Sequence, residues 1–128
     1  MSPEAAEDPR LTRILEKALT LPEASCEKTG THARILVRKK TFLYFLDNHH
    51  GDGIVAVAGK VPIAENRGLV EMDPVHWYLP TYIGPRGWVG LRLDVGEIDW
   101  EQVDDLIVGS YRLVAPKQLT KPMFGRKG

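Results

Sequence analysis

The sequence has one cysteine, no long apolar run and no net charge. Its single cysteine, Cys26, excludes an internal disulfide framework and a cysteine-based zinc cluster. The longest apolar runs, Phe42–Leu46 and Ile54–Ala58, fall far short of the roughly 20 residues that a membrane-spanning helix needs. The chain therefore lacks the marks of a disulfide-rich protein or of a membrane-spanning one.

What the sequence contains is ordinary for a folded domain. The chain has 128 residues, 43% of them hydrophobic, and 17 lysines and arginines balance 17 aspartates and glutamates. This composition argues against disorder, and the length suffices for one hydrophobic core. No basic segment followed by an apolar stretch opens the chain. We therefore expect a soluble cytoplasmic protein with one domain over residues 1–116, where 1–8 form a loose lead-in, and a flexible basic tail over residues 117–128.

Hydrophobic periodicity predicts eight secondary-structure elements in the order α-β-β-β-α-β-β-α. The first helix has the clearest signals, because Asp8 suits the N-cap, Pro9 suits the first helical position and an apolar stripe follows. The stripe consists of Leu11, Ile14, Leu15, Ala18 and Leu19. The other predicted helices span 62–72 and 99–115, and the predicted strands span 33–38, 41–47, 54–59, 81–83 and 88–93.

Turn composition separates these elements. Turns are predicted over residues 23–31, at Lys39-Lys40, and over Gly84–Gly87, where a four-residue loop would close a hairpin. Hairpin-linked strands indicate an antiparallel sheet with helices packed on it. The predicted fold class is therefore α+β, in two layers.

Four short strings follow one another along this predicted order. They are Leu21-Pro22-Glu23-Ala24, Pro80-Thr81-Tyr82-Ile83, Gly87-Trp88-Val89-Gly90-Leu91 and Ser110-Tyr111-Arg112-Leu113-Val114, with the hairpin that enters at Phe42 between the first two. Their order and spacing resemble the MmcQ/YjbR family of small bacterial proteins, over about residues 15–114. The resemblance implies an α-β3-α-β2-α fold and, by fold analogy, DNA binding through a wing-like hairpin. It supplies no catalytic residue.

Positive charge is concentrated in two segments despite the neutral total. The first holds Arg34, Arg38, Lys39 and Lys40, and the second holds Arg112, Lys117, Lys121, Arg126 and Lys127. Basic segments attract phosphates, and a basic hairpin tip is what a DNA-binding wing requires. The alternative is that turns and tails are rich in lysine because they are solvated. We predict a binding module that contacts DNA through the first segment, and sequence alone leaves open whether the two segments converge.

One predicted strand suggests a ligand platform. Trp88 and Arg92 flank Gly90 on one strand face, and together with Tyr82 they could stack a base or hold a small anion. The alternative is that Trp88 is a core residue packed under Tyr82 or Trp77, with Gly90 admitting the ring.

A different class of function is a protein-interaction module. The apolar string Trp77-Tyr78-Leu79, together with Tyr82, could form an interface with a protein partner or a second copy, as in secretion-chaperone-like dimers.

Candidate catalytic and metal-binding residues are few. Asp47, His49, His50 and Asp52 are the only cluster of metal-ligand types, and we interpret it as a solvated turn because adjacent histidines converge poorly on one ion. Cys26 and His32 suggest a nucleophile and a base, but no third group that would orient the histidine is identifiable. No phosphate-binding glycine motif is present. We therefore expect no enzymatic activity, no metal and no cofactor.

Overall fold

The computed structural model describes residues 7–48, 51–81 and 83–124. The helices are α1 (Pro9–Ala18), α2 (Glu65–Met72), α3 (Trp100–Val114) and α4 (Lys117–Phe124), and a short 3-10 helix spans Gly84–Arg86. The strands are β1 (Ala24–Thr29), β2 (His32–Val37), β3 (Lys40–Asp47), β4 (Val55–Lys60), β5 (Trp77–Tyr78) and β6 (Trp88–Arg92). Within the described residues, no helix combines the length and the apolarity needed to cross a membrane.

The six strands form a single sheet in the order β1-β2-β3-β4-β6-β5. Every neighbouring pair is antiparallel. Helix α3 packs on β3 and β4, and α1 packs on α3. The predicted α+β class, with helices on an antiparallel sheet, is therefore confirmed.

The face of the sheet that contacts α3, which we call the helix face, carries the large hydrophobic core. The Phe42 and Tyr111 rings meet edge to face, 5.3 Å between centroids. Gly59 lies so close to α3 that a Cβ there would be 2.9 Å from Leu106 Cγ. Fully buried strand residues on this face include Ile35, Leu43, Phe45, Val57 and Val89.

The opposite face, which we call the aromatic face, is built differently. One register row crosses it from Arg34 through Tyr44, Ala58 and Gly90 to Tyr78. The Tyr44 ring contacts the Trp88 ring, 5.3 Å between centroids. A Cβ at Gly90 would be 2.4 Å from Tyr78 Cε1, so the Tyr78 ring lies directly on that glycine. Aromatic side chains of the sheet itself thus cover its small residues.

The first and last predicted helices are confirmed with their caps. The Asp8 carboxylate accepts a hydrogen bond from the Arg10 amide, and the Asp99 carboxylate accepts from the amides of Glu101 and Gln102. The α1 stripe is buried at all of its predicted positions except Leu19, which follows the helix and is 46% exposed.

Strand β1 was missed, because residues 23–31 were predicted as a turn. Most of its side chains are exposed, and it pairs on one side only, with β2. An edge strand with polar side chains lacks the apolar alternation that identifies a half-buried strand.

The β2–β3 hairpin turn was predicted one residue too late. Arg38 and Lys39 form the two-residue loop, and Lys40 already pairs with Val37. Both loop residues have positive φ, 50° and 70°. This backbone twist suits a tight hairpin between right-handed strands, although neither residue is the glycine or asparagine that usually signals it.

Residues 81–83 were predicted as a strand, but Thr81 and Ile83 lie in turns, and Tyr82 lies outside the described residues. The strand beside β6 is β5, and Gly84–Arg86 is helical. The buried Asn66 side chain fixes this region, because its Nδ2 donates to the carbonyls of Gly84 and Trp88 at 2.8 and 3.0 Å. Hydrophobic periodicity cannot predict such a contact, because Asn66 and its partners are distant along the chain.

Two helices also differ from prediction. Helix α2 begins at Glu65 rather than at residue 62, since Ala64 has a left-handed φ of 76°. Residues 117–124 form α4 where a flexible tail was expected, and Leu119 of this helix packs against the core.

Candidate nucleic-acid interface

Helix α3 connects two ends of the molecule that differ in charge. Near its start, the Arg13 guanidinium binds both oxygens of Asp104 at 3.1 and 3.0 Å, and Arg10 Nη1 donates to the Leu93 carbonyl at 3.3 Å. Toward its other end, the Tyr111 hydroxyl donates to the Pro22 carbonyl at 2.7 Å. The start of α3 therefore lies beside the start of α1, and its C-terminal part lies beside the start of β1.

The β2–β3 turn lies at the C-terminal end of α3. The buried Ser110 hydroxyl donates to the Phe42 carbonyl at 2.6 Å, and Phe42 follows the turn by only a few residues. Helix α4 begins directly after α3, so its first turn belongs to the same end. We call this region the basic end; its cations are Arg38, Lys39, Lys40, Arg112 and Lys117.

The cations at the basic end differ in how far they are neutralised. The Arg38 guanidinium donates to both carboxylate oxygens of Glu23, at 2.7 and 3.0 Å. These hydrogen bonds hold the pKa of Glu23 below its ordinary value. In residues 7–48, 51–81 and 83–124, no carboxylate pairs with Lys39 or Lys40, and both side chains are exposed. The two lysines are the strongest candidates for phosphate contacts.

Arg34, the fourth cation of the predicted set, lies elsewhere. The strand register places it on the aromatic face, in line with Tyr44, and its guanidinium contacts a Glu27 oxygen at 2.6 Å. With Tyr44 and His32 it lines a shallow depression of about 170 Å³. Arg34 is therefore separate from the hairpin turn.

The opposite end of the molecule, which we call the acidic end, holds the start of α3. Its carboxylates bind nearby cations: Asp8 binds Arg10 at 2.9 Å, and Asp94 binds Arg92 at 3.0 Å. In each pair the hydrogen bond from the arginine lowers the pKa of the carboxylate. Further acids at this end are Asp99, Glu101 and Asp104. Because Arg10, Arg92 and Arg13 pair with Asp8, Asp94 and Asp104, these groups leave an excess of two carboxylates at this end, whereas the basic end has an excess of cations.

The predicted ligand platform is mostly filled by its own side chains. Trp88 is only 8% exposed and contacts Tyr44, whereas the packing alternative placed it under Tyr82 or Trp77. Arg92 is held by Asp94, and Tyr82 lies outside the described residues. Tyr78 takes the space above Gly90, and burial raises the pKa of Tyr78 to about 12.

The apolar string proposed as an interface is divided between interior and surface. Trp77 is 3% exposed and belongs to the core, and Tyr78 is half-buried on the aromatic face. Leu79 is 43% exposed. Leu79 is therefore the most exposed residue of the string, Tyr78 is partly exposed, and Tyr82 lies outside the described residues.

Among the described residues, the catalytic and metal candidates do not assemble into a site. The register puts Cys26 opposite Ile35 and His32 opposite Thr29, so the two side chains lie on opposite faces of the sheet. Burial raises the pKa of the Cys26 thiol, which disfavours the thiolate. His49 and His50 lie outside the described residues, and among the described ones no group of three metal-ligand side chains assembles.

The sequence did not reveal the partners of these groups. Glu23 neutralises Arg38 only because β1 places it beside the hairpin, and β1 was missed. The contact between Tyr78 and Gly90 could not be predicted either. The two residues are separated by eleven others, and only the pairing of β5 with β6 brings them together.

Comparisons with known proteins identify the family of this chain and a protein that shares its fold. The chain is similar to a Deinococcus radiodurans protein, DR2400, of the DUF419 family, with a TM-score of 0.68 at 18% identity. The alignment covers 88% of this chain and 86% of that one, and shows a shared α+β fold. A sequence model of the YjbR family matches residues 19–113, and the chain belongs to that family. No curated protein matches the sequence.

Proposed function

We propose that this protein binds nucleic acid through its basic end. The observation that carries the proposal is that the β2–β3 turn, far from α4 in sequence, lies beside the C-terminal part of α3, from which α4 follows after two residues. Lysines on a protruding turn and on an adjacent helix can contact successive phosphates of one backbone.

The separation of charge between the two ends favours binding through the basic end over non-specific binding across the whole surface. A phosphate backbone is attracted by the basic end and repelled by the acidic end, so the molecule approaches in one orientation. Contacts of this kind recognise the backbone and carry no base information, since lysines at a turn read phosphates rather than groove edges. We expect binding to duplex DNA that depends strongly on salt.

The test is fluorescence anisotropy of a labelled DNA duplex, titrated with the full chain at several salt concentrations. The double variant Lys39→Glu/Lys40→Glu removes two phosphate contacts. The negative slope of log K against log salt should therefore become shallower by about 2. Affinity at low salt should fall with it.

The matched control is Lys28→Glu/Arg34→Glu, which changes the net charge equally outside the basic end. Both side chains are exposed and belong to surface ion pairs, so the fold should tolerate the change. The control should retain the affinity of the unmodified chain. Equal loss in both variants, or unchanged binding in the hairpin variant, would contradict the assignment.

A further inference from the structure

A cavity lies between the start of α2 and the segment that joins β5 to β6. Its volume is about 270 Å³. Small-molecule sites begin at roughly 300 Å³, so this space suits a group the size of one amino-acid residue. None of the five cations of the basic end lines it. The cavity is therefore a different surface from the proposed nucleic-acid interface.

Hydrogen bonds hold the cavity in shape. Asn66 is 5% exposed, and its Nδ2 donates to the carbonyls of Gly84 and Trp88 at 2.8 and 3.0 Å. The Gly84 amide in turn donates to the Pro80 carbonyl at 2.9 Å. These bonds tie the start of α2 to the chain around the 3-10 helix, so the cavity is preformed rather than opened by a ligand.

The same asparagine has an acceptor that the protein does not use. The two bonds from Nδ2 fix the orientation of the Asn66 amide group, and they leave Oδ1 as its acceptor. Oδ1 accepts no hydrogen bond from any residue that the structure describes, yet protein atoms do not enclose it. Because Asn66 is almost wholly buried and lines the cavity, Oδ1 is available there to an N–H donor of a ligand.

A cation also lines the cavity. Among its described lining residues, Arg67 is the only charged one. Its side chain is exposed, and no carboxylate of residues 7–48, 51–81 and 83–124 pairs with it. Glu65, the other charged residue in the first turn of α2, does not line the cavity. Arg67 is therefore available to bind a carboxylate through two parallel hydrogen bonds.

The other walls of the cavity are apolar and partly exposed. Ile63 is 88% exposed and Leu79 is 43% exposed. Pro80 and Pro85 line the cavity with them. An apolar group bound here would remove Ile63 and Leu79 from water, which is favourable.

A carboxylate, an N–H donor and an apolar side chain occur together in the last residue of a peptide. We propose that this cavity binds the free carboxyl terminus of a partner protein whose last residue is aliphatic. The terminal carboxylate binds Arg67, and the N–H of the last residue donates to Asn66 Oδ1. The aliphatic side chain lies on Ile63 and Leu79.

The test uses the full chain and an acetylated tripeptide that ends in leucine with a free carboxylate. Backbone amide chemical shifts are the measurement. The peptide should shift amides of residues 63–67 and 83–87 in a saturable manner. Absence of saturable shifts, or shifts centred on another region, would overturn the proposal.

Two modified peptides test the two polar contacts. The same tripeptide with a carboxamide terminus has no charge for Arg67 and should bind at least about tenfold more weakly. The tripeptide N-methylated at its leucine keeps the carboxylate but lacks the donor for Asn66, and should also bind more weakly. If either peptide bound as tightly as the parent, the proposed contact would be wrong.

A variant of the cation has a matched control nearby. Arg67→Met should weaken binding of the parent tripeptide at least about tenfold but leave binding of the carboxamide unchanged. Arg86→Met removes the same charge from an exposed arginine that does not line the cavity, and should retain the affinity of the unmodified chain. Equal loss in both variants, or no loss in Arg67→Met, would overturn the assignment.

The apolar wall has its own variant. Ile63→Ser should weaken binding of all three tripeptides without lowering the melting temperature, because Ile63 is 88% exposed. Unchanged affinity in this variant would contradict the placement of the leucine side chain.

The cavity proposal and the nucleic-acid proposal can fail separately. The hairpin variant Lys39→Glu/Lys40→Glu should bind the tripeptide normally, and Arg67→Met should bind the DNA duplex as the unmodified chain does. Loss of tripeptide binding in the hairpin variant would contradict the cavity as the peptide site.

Discussion

The two faces of the sheet achieve burial by different means. On the helix face, large side chains such as Phe45 and Ile35 are completely buried under helices. On the aromatic face, Tyr44 and Tyr78 remain partly exposed and lie over residues as small as Ala58 and Gly90. The first face depends on packing between layers, and the second depends on side chains of the sheet covering its own backbone.

One strand contributes to both faces. Phe45 and Tyr44 are successive residues of β3 and point to opposite faces. Both are aromatic, so their type does not reveal which face has a helical layer above it. Variants at matched positions can measure how much each face contributes to stability.

The largest expected effect is at Phe45. Phe45→Ala removes a completely buried ring and should lower the free energy of unfolding by about 3–5 kcal/mol. Tyr44→Ala removes a half-buried ring with one aromatic contact and should cost about 1–2 kcal/mol. Urea denaturation of both variants measures the difference. Equal losses would mean that the aromatic face is packed as tightly as the helix face.

An intermediate effect is expected at two glycines. Gly90→Ala forces the Tyr78 ring off the strand, because the added Cβ would be 2.4 Å from it, and should cost about 1–3 kcal/mol. Gly68→Ala in α2 meets nothing within 4 Å and should stabilise by about 0.5–1 kcal/mol. Thermal unfolding should therefore shift in opposite directions. A neutral Gly90→Ala would show that the ring is free to move.

The last expected effect is confined to alkaline pH and arises at Tyr78. Burial is the main cause that raises its pKa from 10.0 to about 12, with Asp52 and Asp94 adding to the shift and Arg92 opposing it. The unfolded chain therefore loses this proton first as pH rises. Stability should fall as pH increases from about 10 to about 12 and be unaffected by this group below that window.

The variant Tyr78→Phe provides the control for this titration. It keeps the ring on Gly90 but has no phenolic proton, so its alkaline loss of stability should be smaller than that of the unmodified chain. Denaturation midpoints measured across the window compare the two. An identical alkaline profile in both proteins would assign the effect to other groups.

The two helices with capping signals, α1 and α3, were the most predictable part of the fold. Asp8, Pro9 and the stripe from Leu11 to Ala18 are local signals, and they act within a few residues of the structure they specify. The α3 cap at Asp99 is equally local. The missed strand β1 and the misplaced strand at 81–83 depend on pairing partners that are distant in sequence.

The candidate site divides in the same way. The sequence showed that Arg38, Lys39, Lys40 and the later lysines are basic segments, because charge is a property of each residue. It also suggested that Arg34 belonged with them, since Arg34 is near in sequence. The strand register instead turns Arg34 to the aromatic face and pairs it with Glu27.

Local signals in the sequence were sufficient to predict the class of fold, the starts of the capped helices α1 and α3, the family resemblance and the absence of a disulfide framework. The assembled fold was needed to show that the hairpin turn lies beside the C-terminal part of α3, that Tyr78 covers Gly90, and that a cavity lies beside the start of α2. The physical reason is the separation along the chain between the residues that interact. Capping and periodicity act over a few neighbouring residues, whereas these contacts join segments that the chain brings together only when the sheet is complete.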